Sequence, residues 1–215
     1  MCIFDITLIR KNTQSIDDKI IRSIRARTGA SVFSTRDFSD FGKGPAIGQA
    51  LSRLVKAGTL RRVRQGLYDL PRSHPLIGQT APDPTAMVQA LMKDNGTAWQ
   101  FTGAYAANLL GLSEQVPAQI VVQTAGASRR VSLGKLIIVF RHAAPRNLVG
   151  AGRPAGLVIQ ALRHLRKIGL GVTTLDRLRQ QLDAATKADL AALAPDLPAW
   201  MQPLVNQIVA NPDPR

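Results

Sequence analysis

Thr59-Leu60-Arg61-Arg62-Val63-Arg64-Gln65-Gly66-Leu67-Tyr68-Asp69-Leu70 is the stretch on which the reading of this chain turns. Val63 and Leu67 flank Arg64-Gln65-Gly66, and Gly66 supplies the positive φ of a tight turn, so the segment reads as a β-hairpin. Arg61, Arg62 and Arg64 fall within four residues. At a strand edge they repel one another unless a polyanion neutralises them, and phosphates beside a groove would do so. A second reading makes them guards of the edge against aggregation. That accounts for the hairpin but not for the helices before it.

Upstream, Ser15-Ile16-Asp17-Asp18 has the spacing of a capping box. Ile16, Ile20, Ile21 and Ile24 recur at helical spacing, and Gly29 is a stop. A second, short helix is expected from Ser34, with Asp37 three residues on and Phe38 and Phe41 turned inward, broken at Gly42-Lys43-Gly44. A third is expected from Pro45 to Ala57, with Gly58 as its exit. Its apolar stripe is Ile47, Ala50, Leu51, Leu54 and Val55. Gln49, Ser52, Arg53 and Lys56 then point about 140–240° away from Ile47. Gln pairs with adenine edges, Arg with guanine and Ser with either, while Lys suits phosphate. An ordinary amphipathic helix with a solvated face shows the same pattern. Three helices and a hairpin in this order predict a winged helix-turn-helix. Thr35, Arg36, Lys43 and Gln65 complete the candidate DNA-contacting set.

The charge agrees with that placement. The 215 residues carry a net +14. Residues 10–72 hold 14 Lys/Arg against 5 Asp/Glu, a net of +9; residues 73–215 hold 14 against 8, a net of +6. A polyanionic partner is the simplest reason for such an imbalance, although a generally basic surface would also produce it. The single Cys2 excludes an internal disulfide. The apolar opening Met1–Arg10 is interrupted by Asp5 and lacks a basic start, so it does not read as a signal peptide. No stretch reaches the about 18 apolar residues of a membrane span. A cytoplasmic protein with no membrane partner is expected.

The remaining two-thirds predicts a mixed α+β domain with a helical C-terminus. Residues 71–84 contain four prolines and read as a connector. Asp83-Pro84 opens a helix that ends at Asn95-Gly96. Residues 98–101 are strand-like, and Thr102 opens a helix of small residues over 103–110, with Tyr105 and Asn108 in its packing. Residues 119–124, 128–133 and 136–142 read as an antiparallel strand trio. Helices are expected at 153–167, 174–184, 186–193 and 198–209. The expected layout is an extension at 1–14, the winged helix-turn-helix at 15–72, a linker at 73–82 and an α+β effector domain at 83–215.

Catalytic chemistry is hard to find. Glu114 is the sole glutamate, and His74, His142 and His164 lack the spacing of a local metal site. No catalytic set, metal or cofactor is expected. Gly126-Ala127-Ser128-Arg129-Arg130 reads equally as a phosphate turn and as a charged hairpin turn. Arg141, His142 and Arg146 suggest an anion pocket, so Arg129, Arg130, Arg141, His142 and Arg146 form a candidate anion or RNA contact.

Gln49-Ala50-Leu51-Ser52-Arg53-Leu54-Val55-Lys56-Ala57-Gly58, with Leu60-Arg61-Arg62 and Gly66-Leu67-Tyr68, resembles the winged-helix domain of AbiE-type (AbiEi-like) antitoxins of type IV toxin–antitoxin, abortive-infection systems. Residues 102–112, Gln115-Val116-Pro117-Ala118 and 142–148 also look like that family. The resemblance implies a repressor that binds inverted repeats in double-stranded DNA at its own promoter; a winged helix is small, so a dimer on DNA is expected there. It also implies a C-terminal domain that opposes a nucleotidyltransferase toxin without a stable complex. The other functional reading is a stand-alone transcriptional regulator whose second domain dimerises or senses a ligand.

Overall fold

Ser15 Oγ accepts from the Asp18 amide at 3.1 Å and starts α1 (Ile16–Ala26), as the capping spacing predicted. The structure is a computed structural model and describes residues 15–27, 32–75, 78–93, 96–114, 117–133 and 136–210, without the side chains of 73, 74 and 172. The expected extension at 1–14, Cys2, the stop at Gly29, Asn95 and Gln115-Val116 lie outside the described residues. Ile20 and Ile24 of α1 are buried, with Ile16 and Ile21 packed beside them.

After β1 (Val32–Ser34), the expected second helix is a 3₁₀ turn, Thr35–Phe41. Only seven residues separate the Ser34 cap from Gly42, and a three-residue period sets Phe38 and Phe41 on one face. Their rings stack 6.2 Å apart. Next come α2 (Gly44–Lys56), β2 (Arg61–Arg64) and β3 (Leu67–Asp69). β3 is the central strand of an antiparallel sheet ordered β1-β3-β2. Gly66 turns the hairpin at φ 75°. The buried faces of α1 and α2, Phe33, Phe38, Leu60 and Tyr68 share one core. α1, α2 and the hairpin follow the expected order with the expected inward residues, whereas β1 is a strand that the sequence did not announce.

The proline-rich connector is not structureless. β4 (Ser73–His74) and β5 (Gly78–Gln79) pair antiparallel across it. Asp83 then caps α3 (Pro84–Met92), accepting from Thr85 and Ala86 amides at 3.1 and 3.2 Å. The chain divides into two compact units, Met1–Asp94 and Asn95–Arg215, so α3, expected at the head of the second domain, belongs to the first.

Asp37 ties the first unit together. Its side chain is 5% exposed, accepts from the Ser34 amide at 2.7 Å and pairs with Arg27 at 3.2 Å and with Lys93. Burial alone would push this carboxyl up, but the hydrogen bonds from Lys93 and Ser34 outweigh it and hold it below the usual carboxylate range. A lowered folded pKa stabilises the unit above the unfolded value of about 3.9, and that stabilisation is lost as pH falls through the folded pKa. Asp37→Ala is therefore expected to cost about 2 kcal/mol at pH 7 and progressively less below pH about 4, as read by pH-dependent thermal unfolding. Equal destabilisation at pH 7 and pH 3 would contradict this.

The second unit holds β6 (Trp99–Phe101), α4 (Gly103–Leu109), β7 (Gln119–Thr124), β8 (Arg129–Leu133) and β9 (Leu136–His142). Its sheet is ordered β6-β7-β9-β8, with β7 and β9 parallel. This corrects the antiparallel trio. The reason lies in the strand compositions. β8 carries exposed Arg129, Arg130 and Ser132 and takes the edge, where charge is tolerated. β9 is apolar over 136–140 and takes the interior, aligning Ile138 and Phe140 with Ile120 and Val122. α5 (Pro154–Ile168), α6 (Val172–Gln181), α7 (Ala184–Leu193) and α8 (Gln202–Val209) follow. Val158, Ile159, Leu162, Leu178, Leu190, Met201, Val205 and Ile208 make their common core. α6 stops short of the expected 184 because Asp183 caps α7, accepting from the Thr186 amide at 2.6 Å. The protein is thus a mixed α+β fold. Among the described residues no helix is long and apolar enough to cross a membrane.

Candidate nucleic-acid interface

α2 buries Ile47, Ala50, Leu51 and Leu54 and leaves Gln49, Ser52, Arg53 and Lys56 exposed, as its periodicity predicted. Their roles differ. Arg53 is not a freely projecting side chain. Its Nε donates to Asp17 Oδ2 at 3.0 Å and its Nη2 to Asp17 Oδ1 at 2.5 Å, a bidentate pair with the first turn of α1. The same hydrogen bonds hold the Asp17 carboxyl below the usual range, so the pair is intact at neutral pH. Gln49, Ser52 and Lys56 are left as the outward set. A Cβ added at Gly44 or Gly48 would meet nothing within 4 Å. The packing of α2 does not require either glycine, and its first two turns present bare backbone at which another surface can approach closely. In the sequence Gly44 reads only as part of a helix break, and Gly48 carries no signal of its own.

The hairpin arginines also separate. Arg61 is half-buried, and its Nε donates to buried Asp69 at 3.1 Å while its Nη2 donates to the Thr80 carbonyl at 2.9 Å. Arg61 is an internal strut that joins the hairpin to the connector, which corrects its expected place among the outward contacts. Arg62 lies 5.8 Å from the Tyr68 ring centroid and stays exposed. Arg64 and Gln65 are exposed at the tip. The Thr35 amide donates to the Gly66 carbonyl at 3.2 Å, pinning the tip to the start of the 3₁₀ turn. Thr35 is half-buried there, whereas Arg36 and Lys43 are exposed. Among the described residues, no ion pair engages Lys43, Lys56, Arg62 or Arg64.

The candidate anion or RNA set does not converge. Arg129 pairs in register with Phe140 and Arg130 with Val139, so neighbours along β8 and β9 face opposite sides of the sheet. Arg141 and His142 are separated in the same way. Arg129 stacks 4.3 Å over Phe140. The His142 amide donates to Ser128 Oγ at 2.8 Å, and its Nδ1 lies 3.1 Å from the Gly126 carbonyl. The carbonyl only accepts, so Nδ1 carries the proton and His142 braces the 126–128 turn. Arg146 alone of the five lines a cleft beside α5. Asp83 is occupied as a helix cap, and Glu114 is exposed. Among the described residues, no three of His, Cys, Asp and Glu come together as a metal site.

No curated protein matches this chain. The solved structure of the RV2827C protein from Mycobacterium tuberculosis is 18% identical, covers 91% of this chain and 78% of its own, and gives a TM-score of 0.43. Residues 19–190 match the family of unknown function DUF6088, and the chain belongs to that family.

Proposed function

We propose that this chain is a DNA-binding transcriptional repressor, acting in the cytoplasm and without catalytic activity of its own. In this reading α2 enters the major groove and the β2–β3 hairpin lies along the adjacent backbone. One observation carries it. A helix that buries Ile47, Ala50, Leu51 and Leu54 turns Gln49, Ser52 and Lys56 outward, in the same unit as exposed Arg62 and Arg64. Gln49 and Ser52 suit base edges, and Lys43, Lys56, Arg62 and Arg64 suit phosphates. One such unit is small, so an inverted repeat with half-site centres about 34 Å apart would engage two copies.

The test is anisotropy titration of a duplex from the chain's own upstream region against a scrambled duplex. Gln49→Ala is expected to weaken the cognate duplex about 10-fold while sparing the scrambled one, and Arg62→Ala to weaken both similarly. Equal affinity of the unaltered protein for both duplexes would sink the reading. Asp17→Asn is expected to tighten binding to both about 5-fold, because it releases Arg53 and removes a negative charge; an exposed pair of this kind holds its arginine only weakly. Unchanged or weaker binding by Asp17→Asn would show that Arg53 works while paired.

The resemblance of residues 102–112 and 142–148 to AbiE-type antitoxins supports a second job, opposing a nucleotidyltransferase toxin without a stable complex. Co-expression of a neighbouring nucleotidyltransferase gene with the full chain is expected to rescue growth, and failure of rescue removes this job. The cleft in the second unit favours the other reading, a stand-alone regulator that senses a ligand.

A further inference from the structure

We infer that the second unit binds a phosphorylated nucleoside in the cleft between α5 and the sheet. The site goes beyond the DNA-binding reading and stands on different residues. The cleft measures about 900 Å³, in the range of small-molecule sites. Its chemistry is divided into three parts.

The floor is polar and buried. Gln160, 1% exposed, donates from Nε2 to the Asn147 carbonyl at 2.8 Å and accepts from Thr102 Oγ1 at 3.2 Å. Gln123 lines the same cleft, and its Oε1 is buried with no hydrogen-bond partner among the described residues. A buried acceptor left in this state is costly, and a donor brought by a ligand would satisfy it.

One wall is cationic. Half-buried Arg163 donates to Asn147 Oδ1 at 2.9 Å and to the Arg146 carbonyl at 3.2 Å, both neutral acceptors. Burial lowers its pKa, and among the described residues no carboxylate pairs with it. Arg146 and Lys167 share the lining, against one carboxylate, Asp196. A desolvated guanidinium held in place by neutral groups presents its remaining N–H donors to an anion, and phosphate fits that geometry.

The third part is a flat stack. The Arg166 guanidinium lies 4.2 Å from the Trp200 ring centroid, and both line the cleft. Guanidinium planes and indole rings are surfaces on which nucleobases stack. Inorganic phosphate would need the cations but neither the stack nor the unsatisfied Gln123 Oε1. A neutral nucleoside would leave the cations unmatched. A phosphorylated nucleoside uses all three parts, with phosphate on Arg163, Arg146 and Lys167, the base on Trp200 and Arg166, and a base N–H on Gln123.

The test uses the full chain with the four ribonucleoside triphosphates, inorganic triphosphate and a 5′-phosphorylated RNA hexamer, followed by Trp fluorescence and calorimetry. Nucleotides are expected to bind at least about 10-fold tighter than inorganic triphosphate, a gap that base stacking supplies. Trp200→Leu should close that gap. Arg163→Gln should weaken every phosphorylated ligand about 10-fold or more. Lys167→Gln, an exposed change, repeats that test in milder form should Arg163→Gln fold poorly. Operator affinity should be the same for all three variants, so a failed operator test leaves this one intact. Tighter binding of the hexamer than of any nucleotide, lost with Arg163→Gln, would assign the site to a strand end. Inorganic triphosphate binding as well as nucleotides, or no ligand binding at all, would overturn the proposal.

Discussion

Raising the salt from 50 to 200 mM is expected to weaken operator binding by about 10⁴. The figure follows from which cations the fold leaves for phosphate. Arg27 and Lys93 are held by Asp37, Arg53 by Asp17 and Arg61 by Asp69. Lys43, Lys56, Arg62 and Arg64 are exposed, with no ion pair among the described residues. Four phosphate contacts per copy give two copies on an inverted repeat a log–log slope of about −7. A single copy gives a slope of about −3.6 and a loss of about 150-fold over the same range. The slope therefore reports stoichiometry as well as mechanism. Arg64→Ala should flatten it by about 2 for two copies and about 1 for one. A loss below about 10-fold would mean that these side chains do not meet a polyanion.

Gly156→Ala is expected to remove about 3 kcal/mol or more from the second unit and to lower its melting temperature by about 10 °C. Gly156 lies in the first turn of α5. A Cβ there would come 2.1 Å from the Gly150 carbonyl oxygen and 2.5 Å from its carbon. Gly150 itself takes φ +72°, where side chains are strained, and its own Cβ would meet the Gly156 backbone at 3.0 Å. The contact is backbone against backbone, so no rotamer change relieves it. α5 would have to lift and draw its own Val158, Ile159 and Leu162 out of the core they share with Leu178, Leu190 and Met201. Both tryptophans, Trp99 and Trp200, belong to this unit, so their fluorescence reports its unfolding. Operator binding below the transition should persist, because α2 and the hairpin belong to the first unit. An unchanged fluorescence transition would show that the two glycines do not hold α5 in place.

Much of the first unit was legible in the chain because its signals are local. The Ser15 cap, the isoleucine spacing of α1, the stripe from Ile47 to Leu54 and the turn at Gly66 each act within a few residues. The 3₁₀ turn was misread for a local reason too: Phe38 and Phe41, three apart, fit both helical periods. In the second unit the strands were visible, but the pairing of β7 with β9 was not, since alternation fixes a strand's faces and says nothing about its neighbour.

The sequence by itself determined where the α-helices and the strands of the hairpin and of the larger sheet run, that α2 is two-faced, and that positive charge concentrates around the hairpin; β1 and the β4–β5 pair it did not mark. Only the tertiary structure decided which cations are spent. Arg53 and Asp17 lie 36 residues apart, and Lys93 and Asp37 lie 56 apart. It likewise brought Thr102, Gln123, Arg163 and Trp200 to one cleft from four distant segments. The physical reason is that a charge or an amide carries no information about its partner until the fold sets the distance. A helical stripe or a cap, by contrast, is complete within a few turns of its own chain.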